Sequence, residues 1–438
     1  MKTKCTLLVL ALASFLVSCQ NSPELDNQEK KNSAVVKDVE VGYENPDSNY
    51  EFYSVAKYPT NPFYPSEDSY YGIGDVKVTK IAVSPDGEYM ALLRDGEPNQ
   101  VSWDYGDYVF NNIFLYKVNK QDNTISLVQP QTGLEQDYAD DFIMTEGETV
   151  DIAYLPNNWF LLVGDDQVNV CTIRVFGVND NGTLYAPDQA DWFDTALTSY
   201  PLTYPARPVF SKDGKYLAFA EKSGIDYGEP GVWLYLNRGD AESTPSYKRL
   251  RDFPSTLLSC RVLSCSIAPK GDMLAAVKKV GSSTVIISRI AGEQVVDDWM
   301  PQLPEHDYVD CSFSPDGKYL AISSADGYLV ILKCNSYYSV DVLFEVRVPE
   351  GGKIKWAPET NIFGVLSGRE LLIYRITGTE LTSIAMSPNS SSSGPYDVSD
   401  FEFLRSESGQ LTLYTVSENG PEDSMWGINQ WEFVYSEE

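Results

Sequence analysis

Short apolar runs, broken at regular intervals by Gly, Pro, Asp and Ser, dominate this chain. Tyr319-Leu320-Ala321-Ile322 is one such run, and it follows Ser314-Pro315-Asp316-Gly317. Pro and Asp suit the first positions of a tight turn, and Gly supplies the backbone freedom that closes it. Runs of this length, rich in aliphatic and aromatic residues and bounded by turn residues, predict β-strands.

The same plan of strand, turn and strand recurs at 78–93, 151–164, 206–222, 264–279, 309–324, 353–368 and 400–417. Third strands are expected at Ile113–Val118, Val232–Leu236, Tyr328–Lys333 and Leu371–Ile376. The later turns fall roughly 45 residues apart, and the longer early gaps hold insertions; units of this size with about four strands each predict a propeller. One unit cannot bury both faces alone, whereas stacking around a ring buries them and protects most edges.

The string Ser-Pro-Asp-Gly-Lys-Tyr-Leu-Ala at 314–321 resembles the WD-repeat superfamily, and more closely the repeat unit of TolB-type bacterial propellers. The likeness runs from about Val76 to the C-terminus. No Gly-His pair precedes the first strands and no Trp-Asp pair ends the third ones, Ile428–Glu432 being the nearest approach. The structural Asp-His-Ser-Trp network that the resemblance implies is therefore expected to be missing, and the family's shape carries over without its partners. The expected fold is all-β, a single seven-bladed β-propeller over residues 50–438. Its blades start near 76, 150, 206, 263, 308, 353 and 398. Only Ser436, Glu437 and Glu438 follow the last apolar run, so the seventh unit lacks a fourth strand. Tyr50–Tyr58 is expected to pair with that blade and close the ring.

At the N-terminus, Lys2 and Lys4 precede an apolar run, Thr6–Val17, too short for a stable membrane span. It ends in Leu16-Val17-Ser18-Cys19, which resembles a bacterial lipoprotein signal. The resemblance implies a signal peptide over residues 1–19 ending at a lipidated Cys19, with acyl chains as the anchor. Gln20 in place of Asp speaks against inner-membrane retention, so the expected location is the outer membrane of a bacterial envelope, on its periplasmic side or at the cell surface. Residues 20–49 are polar and charged and read as a flexible acidic tether.

Composition narrows the partners. Net charge is −30 and the pI is near 4.3, a field that repels nucleic-acid phosphates and anionic headgroups. Nucleic acid is excluded as a partner, and the membrane is expected to be met through the lipid anchor alone. The 29 Tyr and 8 Trp residues favour strands and contact surfaces.

Candidate chemistry is sparse. His306 is the single histidine and lies in a predicted loop with no nucleophile elbow nearby, so it reads as a solvated residue rather than a catalyst. Cys171, Cys260, Cys265, Cys311 and Cys334 follow the anchor; an odd number cannot pair completely. Cys311 and Cys334 would lie two strands apart, about 9.6 Å and beyond disulfide reach. Buried thiols are the reading, with Cys260–Cys265 open. The acidic clusters lack the spacing of a calcium loop, so no cofactor is expected and calcium enters only as an adventitious ion.

The long loops between second and third strands carry the candidate binding residues. These are Trp103, Asp104, Tyr105, Asp107 and Tyr108 in the first, Asp226 and Tyr227 in the third, and Trp426 in the seventh. The connection between the first two units adds Asp140 and Asp141. Propeller geometry brings these loops to one face, where aromatic and carboxylate groups suit a protein surface or a glycan. Three functions remain open: a lipid-anchored, non-catalytic envelope scaffold for protein–protein interaction, first among them; a surface glycan or small-ligand binder; and a carboxylate-dependent propeller hydrolase or lyase.

Overall fold

The computed structural model describes residues 38–39, 50–58, 77–95, 113–127, 149–155, 160–165, 171–178, 184–185, 208–220, 231–239, 246–250, 261–368, 370–386, 397–419 and 427–435. Two strands come first, β1 (Asp38–Val39) and β2 (Tyr50–Tyr58). Blade one holds β3 (Lys77–Val83), β4 (Tyr89–Asp95), β5 (Ile113–Val118) and β6 (Ile125–Leu127). Blade two holds β7 (Thr149–Tyr154), β8 (Phe160–Asp165), β9 (Cys171–Val178) and β10 (Leu184–Tyr185). Blade three holds β11 (Val209–Phe210), β12 (Tyr216–Ala220), β13 (Val232–Asn237) and β14 (Tyr247–Leu250). Blade four holds β15 (Arg261–Ile267), β16 (Met273–Val280), β17 (Ser282–Ala291) and β18 (Gln294–Trp299). Blade five holds β19 (Tyr308–Phe313), β20 (Tyr319–Ser324), β21 (Tyr328–Ser336) and β22 (Ser339–Arg347). Blade six holds β23 (Ile354–Trp356), β24 (Ile362–Ser367), β25 (Glu370–Thr377) and β26 (Glu380–Met386). The last holds β27 (Asp397–Arg405), β28 (Leu411–Asn419) and β29 (Gly427–Tyr435). Among the described residues the strands fall into seven sheets, and the fold is an all-β propeller.

The turn that marks each unit is built locally. The Ser314 hydroxyl donates to Asp316 Oδ1 at 2.8 Å, Asp316 Oδ1 accepts the Lys318 N–H at 3.0 Å, and Ser314 Oγ accepts the Tyr319 N–H at 2.9 Å. The same three bonds recur at Ser84–Tyr89 and Ser211–Tyr216. Gly317 completes the turn at φ 71°, in the left-handed region. Short polar side chains thus satisfy the backbone where the chain reverses, and the apolar run that follows enters the next strand in register.

Second and third strands form the core. Every residue of β12 (YLAFA), β13 (VWLYLN) and β20 (YLAISS) is buried, as strands sandwiched between neighbouring sheets require. Facing blades share clusters. Ala218, Leu234 and Leu236 of blade three meet Cys265, Leu274 and Ile286 of blade four, while Ile81, Leu92 and Tyr116 of blade one meet Leu404, Tyr414 and Val416 of blade seven.

Two N-terminal strands lie on outer edges. β2 runs antiparallel to β29 from Tyr50 opposite Tyr435 to Tyr58 opposite Ile428. β1 runs parallel to β22 and makes that sheet five-stranded. Asp38 and Val39 fall within the stretch expected to be a flexible tether, and their pairing departs from that expectation for these two residues. Cys265, Cys311 and Cys334 are free thiols; burial pushes the Cys334 thiol up to about 12 and also raises Cys311 well above its ordinary value. Among the described residues, no helix is long and apolar enough to cross a membrane.

Candidate functional site

The first strands of all seven sheets line one axial cavity of about 310 Å³. Its lining includes small side chains at Ala82, Ala153, Val209, Ser266 and Ser312. Where blades six and seven meet, the wall is charged. Lys353 and Lys355 on the blade-six strand face Asp400 and Glu402 on β27, one blade further round. The Lys-x-Lys and Asp-x-Glu pairs occupy matching positions of neighbouring first strands, so opposite charges meet by register alone.

Asp400 is fully buried, and each of its oxygens accepts two hydrogen bonds. Oδ1 takes the Lys355 ammonium at 3.1 Å and the Phe401 N–H at 2.9 Å. Oδ2 takes the Lys353 ammonium at 3.0 Å and the Ile81 N–H at 3.1 Å. Burial alone would raise this carboxyl, but Lys353, Lys355, Lys80 and the Ile81 N–H outweigh it and hold the group well below the usual carboxylate range. Lys355, 3 % exposed, directs its ammonium to Asp400, to Glu402 Oε2 at 2.8 Å and to the Ile81 carbonyl at 3.1 Å. An ammonium has three N–H groups, and these three acceptors take them all. Asp400 is thus ionised and fully hydrogen-bonded, a poor general base, and Lys355 has no donor left for a substrate. The cluster ties the sixth, seventh and first blades together as a latch.

The same device occurs one blade earlier in milder form. Asp310 accepts a hydrogen bond from Ser264 of blade four and, at 2.7 Å, the Ile354 N–H of blade six. Further round the seam between blades seven and one, Asn123 Nδ2 donates to Thr412 Oγ1 at 2.9 Å, and the buried Tyr414 hydroxyl donates to the Asn123 carbonyl.

A second polar cluster lies on the rim of blade five. His306 precedes β19, and Asp326 sits in the turn between β20 and β21. His306 Nδ1 meets Asp326 Oδ2 at 2.9 Å and Nε2 meets Glu345 Oε1 at 2.8 Å. Carboxylates only accept, so both bonds form together when the ring carries both protons. The imidazole stacks on Tyr328 at 3.9 Å and meets Tyr308 edge-on at 5.9 Å. Burial tends to raise Asp326, but hydrogen bonds from His306, Ser324 and the Asp307 N–H hold it below its ordinary value. Burial, reinforced by the charges of Glu345 and Asp326, pushes the Tyr308 phenol up, and its hydroxyl donates to the Pro304 carbonyl at 2.6 Å.

This geometry corrects two expectations. His306 is not a solvated loop residue; its side chain is 8 % exposed. Asp326 is bonded by both His306 and Ser324, but the second ring nitrogen of His306 goes to Glu345 and Tyr328 stacks where the resemblance implies Trp, so part of the network expected to be missing is met. Glu305 stands where Gly would precede the histidine, which hid the motif.

Residues 300–331 match the family described as WD domain, G-beta repeat. The match spans His306, the Ser-Pro-Asp-Gly turn and Asp326, so it falls on blade five. A comparison with curated proteins finds no match.

The expected binding residues Trp103, Asp104, Tyr105, Asp107, Tyr108, Asp140, Asp141, Asp226, Tyr227 and Trp426 lie outside the described residues, as does Cys19. Their flanking strands are described. Connections from β4 to β5, β12 to β13 and β28 to β29 leave the same end of their sheets as the Asp326 turn leaves blade five. Lys353, Lys355, Asp400 and Glu402 were not singled out from the sequence, although their complementary signs at matching positions in Lys353-Ile354-Lys355 and Asp400-Phe401-Glu402 carry the signal.

Proposed function

We propose that this chain is a lipid-anchored, non-catalytic binding scaffold of a bacterial envelope, probed by its partner at the rim of a seven-bladed ring that β2 closes along β29. The observation that carries the reading is the saturation of the channel. Its buried charges satisfy one another, which makes the centre of the ring structural and leaves the rim loops as the surface for recognition. WD-type propellers commonly mediate protein–protein interaction, and the match over residues 300–331 agrees with that role. The Leu-Val-Ser-Cys sequence ending at Cys19 supplies the anchor in this reading, with the outer membrane as its location.

Crosslinking on intact cells through the native N-terminus, followed by mass spectrometry, tests it. The expected result is one dominant envelope protein at near-equal amounts, with crosslinks to the connections that carry Trp103, Tyr227 and Trp426. Recovery of no protein, together with binding of the purified chain to a glycan array, would replace the scaffold reading with a glycan-binding one.

A further inference from the structure

We propose that the outer edge of blade five is a strand-docking site, and that its occupant is this chain's own segment at Asp38–Val39. The other six sheets have four strands, and this one has five. Asp38 stands opposite Glu345 and Val39 opposite Val346, in parallel. An outer propeller strand exposes a row of N–H and C=O groups, and an extended segment can add to that row through backbone bonds.

Edge length singles out this blade. β22 has 9 residues, whereas β6, β10 and β14 have 3, 2 and 4. β18 and β26 have 6 and 7, and the other 9-residue outer strand, β29, carries β2 along it. Among the described residues, the two longest outer strands are those that N-terminal strands occupy.

β22 is also held firm from within. Val346 is 1 % exposed and Phe344 4 %, and both pack into the cluster shared with blade six. Glu345 is fixed from its inner side by His306. The acceptor is thus preorganised, which lowers the ordering cost of docking. On the donor side, Val35-Val36-Lys37-Asp38-Val39-Glu40-Val41 is the one β-branched stretch in an otherwise polar region. Only two residues pair, Asp38 with Glu345 and Val39 with Val346, so the added strand is short and its docking is reversible.

The consequence for orientation rests on the anchor reading given above. With Cys19 lipidated, docking at Asp38 shortens the free tether from residues 20–49 to residues 20–37. Blade five then becomes the part of the ring nearest the anchor along the chain.

Hydrogen exchange on the purified full chain tests the docking without reference to the anchor. Amides of Asp38 and Val39 should exchange on the order of tenfold more slowly than in an unstructured chain. Val39→Pro should abolish that protection and raise exchange at Glu345–Arg347, leaving β20 and β21 unchanged. Fast exchange at Asp38 and Val39 in the unaltered protein, or no response of β22 to Val39→Pro, would overturn the proposal. Protection that grows with protein concentration would also overturn it, since the strand would then come from a second copy. Failure here leaves the scaffold reading standing; absence of acylation at Cys19 would remove the anchor and leave the docking intact.

Discussion

Asp400 in the channel wall sits between two ammonium groups and His306 on the rim of blade five between two carboxylates, and the two clusters differ in their access to water. Asp400 and Lys355 are sealed, at 0 % and 3 % exposure. His306 is nearly covered, but its partner Asp326 is 42 % exposed. A sealed ion pair carries a large desolvation cost, and removing one partner strands the other in a medium that cannot solvate it. A rim pair is screened by solvent and loses less. The channel cluster should therefore govern ring integrity, and the rim cluster should set local order around one turn.

The largest expected effect follows directly. Lys355→Met leaves Asp400 and Glu402 facing each other without the shared ammonium and should destabilise the fold by about 3–5 kcal/mol, read from chemical denaturation. Adding Asp400→Asn should restore part of the loss, because the stranded charge is gone. A double variant less stable than Lys355→Met alone would show that burial of the charge is not the source of the cost.

Acid titration sharpens the same contrast. A carboxyl whose folded value lies below its unfolded value stabilises the fold above the unfolded value, about 3.9 for Asp, and that contribution is lost as pH falls through the folded value. The Asp400 contribution should be constant from neutral pH to about 4 and decline only below that. The stability difference between the unaltered chain and Asp400→Asn should follow the same course, and a difference that already shrinks between pH 7 and 5 would rule this out.

On the rim, His306→Ala removes the ring that Asp326 and Glu345 share and should cost about 1–3 kcal/mol. Salt separates the two clusters further. At about 1 M the screening length falls to roughly 3 Å, so the effect of His306→Ala should shrink with salt while that of Lys355→Met barely moves. Equal salt sensitivity in the two would mean that the clusters do not differ in their access to solvent.

The propeller was legible because its signal is local and repeated. Each turn carries its own hydrogen bonds, as at Ser314–Tyr319, and each following run carries the alternation of a half-buried or sandwiched strand. The third strands at Ile113–Val118 and Tyr328–Lys333 needed only short-range pattern to be placed. The latch was harder to see, because Lys355 and Asp400 are distant in the chain and meet only once two first strands stand side by side. The His306 network was obscured for another reason: Glu305 replaces the Gly of the short signature, whereas the physical requirement is merely an imidazole within reach of the Asp326 turn. β1 escaped notice because composition describes a stretch of residues on average and takes no account of an open edge elsewhere in the fold.

The smallest effects test whether the comparison has the right variable. Ser314→Ala removes the hydroxyl that accepts the Tyr319 N–H and donates to Asp316, with an expected cost of about 1 kcal/mol. Arg238 and Glu293 then provide the limiting case. They link the outer turns of blades three and four at 2.5 Å, closer than any contact of Lys355, yet their side chains are 41 % and 60 % exposed. If distance set the energy, Arg238→Ala would be the most damaging change of the series. Solvent screening and the freedom lost by two long side chains argue instead for a cost of no more than about 0.5 kcal/mol. A loss approaching that of Lys355→Met would mean that geometry outweighs burial in this ring, and the ranking from channel to rim to surface would have to be redrawn around contact distance.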